Sequence, residues 1–405
     1  MRHFSFLSKL LLLAVITVIA TTARAQKMQY FRPNDKTGLN IFETTKADTV
    51  SFNKLHVKVG GNFTQDFQML KNKNAATPNI QNGVNVNDVM KLSNAFNLAM
   101  ANLIIDAQLA DGVRMSLTTY LSSRHHQEAW VQGGYIQFDK LSFLKSPVLD
   151  KIMEKVTIKI GDFTPDYGDA HYRRTDGGNT IYNPFVENNI MDAFTTEIGG
   201  EIYYHANNGF FLMGGMTNGM LNPSVKAVSA IDAKTGKVNK NAPALIGKIG
   251  FDKQINPDFR ARLTASIYNV NSSSSNTLYS GDRTGSHYFL AMENVSANVT
   301  SNAWSGRFIP GFSQQVRSFM INPFFKYKGI EFFGTAEVAK GRTISETALR
   351  QNTQLAGDII YRFPADKENF WLGVRYNTLK AAMAGVSNDV NINRTAGSFG
   401  WFLTK

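Results

Sequence analysis

The chain of 405 residues contains no cysteine. That excludes structural disulfides, thiolate metal centres and a lipid-modified amino terminus. Charge is modest, at 18% of residues. Beyond the first 25 residues no apolar run approaches the roughly 20 residues that a membrane-spanning helix needs. Neither a Gly-x-Ser-x-Gly elbow nor a His-Glu-x-x-His pair occurs, so no hydrolytic site is announced.

What is present is alternation. About fourteen stretches of roughly ten residues alternate apolar with polar or small side chains. Val57, Val59, Gly61, Phe63, Gln65, Phe67 and Met69 make one face of an early segment, and Lys58, Asn62, Thr64, Asp66 and Gln68 the other. The same rule separates Phe319, Ile321, Phe325 and Tyr327 from Ser318, Asn322 and Lys326. A sheet facing lipid must satisfy every backbone group without water, which a closed barrel does. Its strands then turn apolar side chains to lipid and polar ones to the lumen. Mean hydropathy is −0.21, as expected when two faces cancel, and aromatics at 12% suffice for interfacial girdles. A soluble β-sandwich alternates too; the number of repeats, together with an export signal, favours an all-β transmembrane antiparallel barrel.

Arg2 and Lys9 precede an apolar core from Leu10 to Ala20, followed by Ala23-Arg24-Ala25. This reads as a signal peptide over 1–25, cleaved before Gln26; the core is too short for a spanning anchor. Removing Arg2, Lys9 and Arg24 with it lowers the net charge from +12 to +9. An exported barrel meets no nucleic acid, so the basic excess points to lipopolysaccharide, outer-membrane lipid or anionic solutes. Residues 26–52 show no periodicity and read as a periplasmic lead-in, with the barrel over 53–405.

Strands are expected near 54–70, 93–109, 113–123, 128–139, 155–163, 194–205, 210–218, 243–253, 259–271, 317–328, 330–340, 353–363, 369–379 and 393–403. Connection lengths test this, because such barrels have short periplasmic turns and long outer loops. Ala110-Asp111-Gly112, Asn207-Asn208-Gly209, Gln254 to Asp258, Lys328-Gly329 and 364–369 are short, and Asn and Gly there suit tight hairpins. The exception is 140–154, where Pro147 to Glu154 looks like a short helix. Outer loops fall at 71–92, 124–127, 164–193, 219–242, 272–316, 341–352 and 380–392. After Phe399-Gly400-Trp401-Phe402-Leu403 only Thr404-Lys405 follow. Barrels of this kind usually end on an aromatic within the last strand, so a C-terminally incomplete chain is expected, sixteen strands being the complete count. A closed barrel of fourteen strands is the alternative.

From Lys159-Ile160-Gly161-Asp162-Phe163 through Pro165-Asp166-Tyr167-Gly168-Asp169-Ala170-His171-Tyr172-Arg173-Arg174, the chain resembles the strand and third loop of outer-membrane porins, the phosphate-selective group included. Asn322 to Gly329 with Glu331-Phe332-Phe333-Gly334 gives the same likeness. The resemblance implies a passive, water-filled, homotrimeric channel for small hydrophilic solutes. No lysine ladder of the phosphate-selective members maps residue by residue.

In porin-like proteins the third loop folds into the lumen, which makes Asp166, Asp169, His171, Arg173, Arg174, Asp176 and Glu187 the candidate constriction. Asp192 adds to its acidic side. Strand parity turns Arg114, Lys159, Arg260, Arg262, Lys326 and Arg375 inward as pore wall, with Lys58, Lys155, Lys248 and Arg362. An acidic loop facing a basic wall would set a transverse field across the pore. Inward Asp66, Glu197, Glu201, Asp252, Glu331, Glu337 and Asp358 offset the cations, leaving weak anion preference. Ordinary charges solvated by pore water are the plainer reading. His125-His126 with Glu128, and Asp162 with Asp166 and Asp169, lack the spacing of metal sites. No metal, cofactor or covalent chemistry is expected. Lys226, Lys234, Lys237 and Lys240 make the fourth outer loop basic, which suits either contact with lipopolysaccharide phosphates or an ordinary solvated loop. A plugged-barrel receptor or adhesin using 219–242 and 272–316 is the first competing function, and an outer-membrane hydrolase with a site assembled from distant strands is the second.

Overall fold

The computed structural model describes residues 27–96, 100–122, 129–175, 180–226, 228–281, 290–298, 302 and 306–404. Fourteen strands form one antiparallel sheet in chain order. They are β1 (His56–Thr64), β2 (Met100–Ala110), β3 (Val113–Ser122), β4 (Ala129–Phe138), β5 (Val156–Phe163), β6 (Glu197–His205) and β7 (Phe210–Thr217). There follow β8 (Ala244–Asn256), β9 (Phe259–Val270), β10 (Gln315–Tyr327), β11 (Ile330–Arg342), β12 (Arg350–Phe363), β13 (Phe370–Ala381) and β14 (Val390–Trp401). Each expected segment holds one strand. Two are shortened: pairing of β1 stops at Thr64, and β2 starts at Met100. The ends cut off, Phe67–Gln68 and Ala95–Phe96, pair with each other instead, with Phe67 and Phe96 meeting edge to face at 5.3 Å. β1 and β14 are the two edges of the sheet, each hydrogen-bonded to one neighbour.

Tight turns follow their chemistry. At Lys328-Gly329 the lysine has φ +50°, and a Cβ on Gly329 would sit 2.1 Å from the Arg362 carbonyl oxygen, so glycine is required there. In the expected helical connection, α1 (Pro147–Met153) starts at Ser146, whose hydroxyl accepts from the Leu149 N–H, with Pro147 in the first turn.

Alternation sorts the two faces. Ile202, Leu212, Leu245, Ile249, Leu263, Ile267, Leu355, Ile359, Leu372 and Val374 are exposed on the outer face. Toward the short turns that face becomes aromatic: Phe259, Phe325 and Phe332 stack in a row, as do Tyr361, Phe363, Phe370 and Trp401. An apolar band closed by aromatic rows is the pattern of a lipid-facing sheet.

The inner face is not empty. Tyr167, Ile190, Met191, Leu278, Tyr279 and Phe312, all from loops, pack with inward side chains such as Tyr203, Ile246, Tyr268 and Met320. This contact requires curvature. Asp166 donates its N–H to Glu201 of β6 at 2.7 Å, while the next residue, Tyr167, donates its hydroxyl to Glu337 of β11 at 2.9 Å. In a flat sheet strands five places apart lie roughly 24 Å from each other. The sheet therefore curls around its inserted loops.

Residues 27–52, expected as a lead-in outside the barrel, pack against inward side chains. Gln29 donates its N–H to the amide oxygen of Gln108 on β2 at 3.1 Å, and Asn40 donates to Glu331 on β11 at 2.6 Å. Phe42 is buried edge-on against Phe324 and Tyr172. The segment is an internal strap.

Candidate functional site

The strap and the 164–193 loop meet the wall at one cluster. Lys248 on β8 points its ammonium among three carboxylates: Glu43 at 2.6 Å, Asp166 at 2.6 Å and Asp169 at 2.7 Å. Arg262 on β9 donates to both Asp169 oxygens at 2.8 Å, and its Nη1 lies 2.7 Å from Glu43 and 3.0 Å from Asp252. Thr264 donates to Asp169 at 2.9 Å, and the Asp169 N–H donates to Asn322. Buried charges are tolerated only when paired and hydrogen-bonded, and here each cation has several acceptors.

The cluster titrates unevenly. Burial alone would raise the Glu43 carboxyl, but Arg262 and Lys248 bring it down to about 2. Asp169 is likewise held low by Arg262 and Lys248 against its burial. Asp166 goes the other way: burial, with Glu43 and Glu201 nearby, pushes it up to about 8 despite Lys248. His171 sits 3.5 Å from Asp166 and is tilted against the Tyr172 ring. Burial and then Lys248 push its pKa well below the ordinary value, so the imidazole is neutral at pH 7.

This overturns the picture of a transverse field across an open gap. The acidic loop and the basic wall are in direct contact, because opposite charges leaving water gain most by closing to hydrogen-bond distance. Asp166, Asp169 and Arg262 form a latch. The other expected residues are dispersed. Arg173 is 3% exposed, donates to Asn40 at 3.2 Å and lies over the Phe333 ring. Arg174, 6% exposed, pairs with Asp192 and lies 3.5 Å above the Phe194 ring. Neither lines the cavity between the strap and strands β2 to β6 described below. Glu187 contributes its carbonyl, which accepts from Arg375 at 2.7 Å, and Arg375 also grips Asp358 with two bonds. Arg260 is forked onto Asp252 and donates to the Asn40 carbonyl. Lys326 lies 2.8 Å from Glu368. Asp176, like His125, His126 and Glu128, lies outside the described residues.

Open space remains between the strap and strands β2 to β6. A cavity of about 280 Å³ is bordered there by Arg114 of β3, Lys159 of β5 and Tyr203 of β6, with Phe31, Arg32 and Phe42 from the strap and Tyr172 and Tyr182 from the loop. A second cavity of about 650 Å³ lies at the short-turn end, beside Asn207, Gly209 and Gln254. Phe42, Glu43 and His205 border both and stand between them.

No protein-family model matches the chain, and no curated protein is significantly similar to it. Among solved structures it is similar to the outer membrane channel DcaP of Acinetobacter baumannii, at 11% identity over 86% of this chain and 98% of that one, with TM-score 0.39. A BenF-like porin from Pseudomonas fluorescens Pf-5 gives 10% identity, coverages of 87% and 89%, and TM-score 0.37. OmpT, an outer membrane protein of Vibrio cholerae, gives 9%, 86%, 97% and 0.35. The solved structures it resembles include outer-membrane porins and channels. Identities near one in ten and TM-scores below 0.5 leave the reading of this chain to its own residues.

Arg114 and Lys159 were legible as inward cations, and both border the cavity. Arg32, Phe42 and Glu43 were not. The signal available was the aromatic content of an aperiodic segment, Tyr30, Phe31 and Phe42, which a solvated lead-in has no use for. Among the described residues, no group of three or more His, Asp or Glu side chains is arranged to hold a metal ion.

Proposed function

We propose that this chain is an outer-membrane diffusion channel for small hydrophilic solutes with weak anion preference, exported by a signal peptide over 1–25. The observation that carries the reading is the pairing of two faces on one sheet: an exposed apolar band with aromatic rows outside, and a charged, cavity-bearing interior inside. A sheet organised this way has no use for its outer face in water. Anion preference rests on Arg32, Arg114 and Lys159 around the cavity against Asp106 and the latched Glu43. Homotrimeric assembly, and contact of Lys226, Lys234, Lys237 and Lys240 with lipopolysaccharide, belong to the same proposal.

A plugged-barrel receptor is the second reading, favoured by the apolar packing of Tyr167, Met191, Leu278 and Tyr279 inside the sheet. Proteoliposome swelling separates the two. The channel reading expects swelling in pentoses and hexoses that slows with solute size; no swelling with any solute sinks it and leaves the receptor.

A further inference from the structure

Resting on the channel reading, we infer that the cavity between the strap and β2 to β6 is a binding site for a monoanionic sugar, a single ring carrying one carboxylate and several hydroxyls. At about 280 Å³ it is at the small end of the roughly 300–1,000 Å³ spanned by small-molecule sites, so one ring is the scale of its ligand.

Its charge asks for an anion. Arg32 has no carboxylate within 4 Å among the described residues; it donates to the carbonyls of Gly38 at 3.1 Å and Tyr172 at 3.0 Å and stacks on Tyr182 at 4.0 Å. Arg114 is 3.5 Å from Asp106, and Lys159 is 3.6 Å from Glu201, both long for ion pairs. Glu43, the other carboxylate on the lining, is taken by Lys248 and Arg262. Positive charge therefore exceeds negative charge at the cavity wall.

Its hydrogen bonding asks for more than an anion. Arg114 Nε and Asn102 Oδ1 are both buried and have no partner among the described residues. The first needs an acceptor and the second needs a donor. A halide, a simple carboxylate or an aromatic acid offers no donor to Asn102, and an apolar ring would also strand the hydroxyls of Ser116 and Thr118 on the lining. A hydroxylated acid answers both needs. Tyr203, Phe31 and Phe42 supply apolar surface for the C–H faces of such a ring.

The test is calorimetric titration of the full chain in detergent with sodium D-glucuronate, D-glucose and sodium benzoate. Glucuronate is expected to bind about tenfold or more tighter than either of the others, the scale of one charge-assisted hydrogen bond. Arg32→Gln should erase the margin over glucose, and Arg32→Lys should restore part of it. Hydrogen exchange of 38–46 in both variants shows whether the strap stays seated; a margin kept by Arg32→Gln with the strap seated overturns the assignment. Benzoate binding as tightly as glucuronate, glucose matching it, or no heat with any of the three also overturns it. Conductance of the same preparation keeps the two proposals apart: an open pore without glucuronate binding sinks only the site, and binding without conductance sinks only the channel.

Discussion

Glu43→Gln tests the latch. Its carboxylate is 5% exposed and is met by Lys248 at 2.6 Å and Arg262 at 2.7 Å. A fall from 4.5 to about 2 corresponds to roughly 3 kcal/mol favouring the docked strap, at about 1.4 kcal/mol per pH unit. Removing one partner of a buried pair costs about 3–5 kcal/mol, which agrees in scale. The neighbours return part of this. Asp166, kept up at about 8 by burial with Glu43 and Glu201 beside it, ionises more readily once Glu43 is neutral, and Lys248 retains Asp166, Asp169 and the Gly168 carbonyl as acceptors. The expected net cost is about 1–3 kcal/mol, so the strap should open roughly 5- to 150-fold more often. Hydrogen exchange of the backbone over 38–46, followed by mass spectrometry, reads this directly. Exchange in the variant within twofold of the parent would refute the claim that the cluster holds the strap.

Other outcomes follow from the same geometry. Docking of the strap and loop should strengthen as pH falls from about 9 to 5, because the raised Asp166 pKa stabilises its protonated form. It should weaken below about pH 4, as the lowered Glu43 and Asp169 take up protons; hydrogen exchange at pH 9, 5 and 3 checks both limbs. Arg173→Ala with Arg174→Ala should loosen the 164–193 loop by about 2 kcal/mol or more while leaving reversal potential nearly unchanged, since both side chains are buried and line neither of the two cavities beside the strap. A large shift toward cations would restore them to the selectivity argument. Leu263→Arg, on the outer face of β9, should destabilise the protein in lipid vesicles by about 2–4 kcal/mol in urea titrations, and a neutral result would argue against a lipid-facing band.

The strands were legible because a period of two repeated along the chain is a signal each segment carries by itself, and Leu263 or Ile359 needs no distant partner to point outward. The latch was not legible. Lys248 and Arg262 were read as inward by strand parity, and Asp166 and Asp169 as part of a loop folding into the lumen, yet neither signal fixes distance, so contact looked like a field across water. The strap was missed for a different reason. It occurs once, has no period, and is held by side chains on β2, β8 and β11 that only the curled sheet brings together. The second strand shows the limit of alternation itself: Ala95 to Ala107 alternates poorly, and its first part pairs outside the main sheet.

The central claim is a conducting path past the strap. Reconstitution of the mature chain in a planar bilayer, with single-channel conductance and reversal potential in a KCl gradient, tests it most directly. Discrete conductance steps with a small reversal potential of the sign for anions are predicted, and deletion of 27–52 should enlarge the steps. A silent protein that stays silent when 27–52 is deleted would contradict the account.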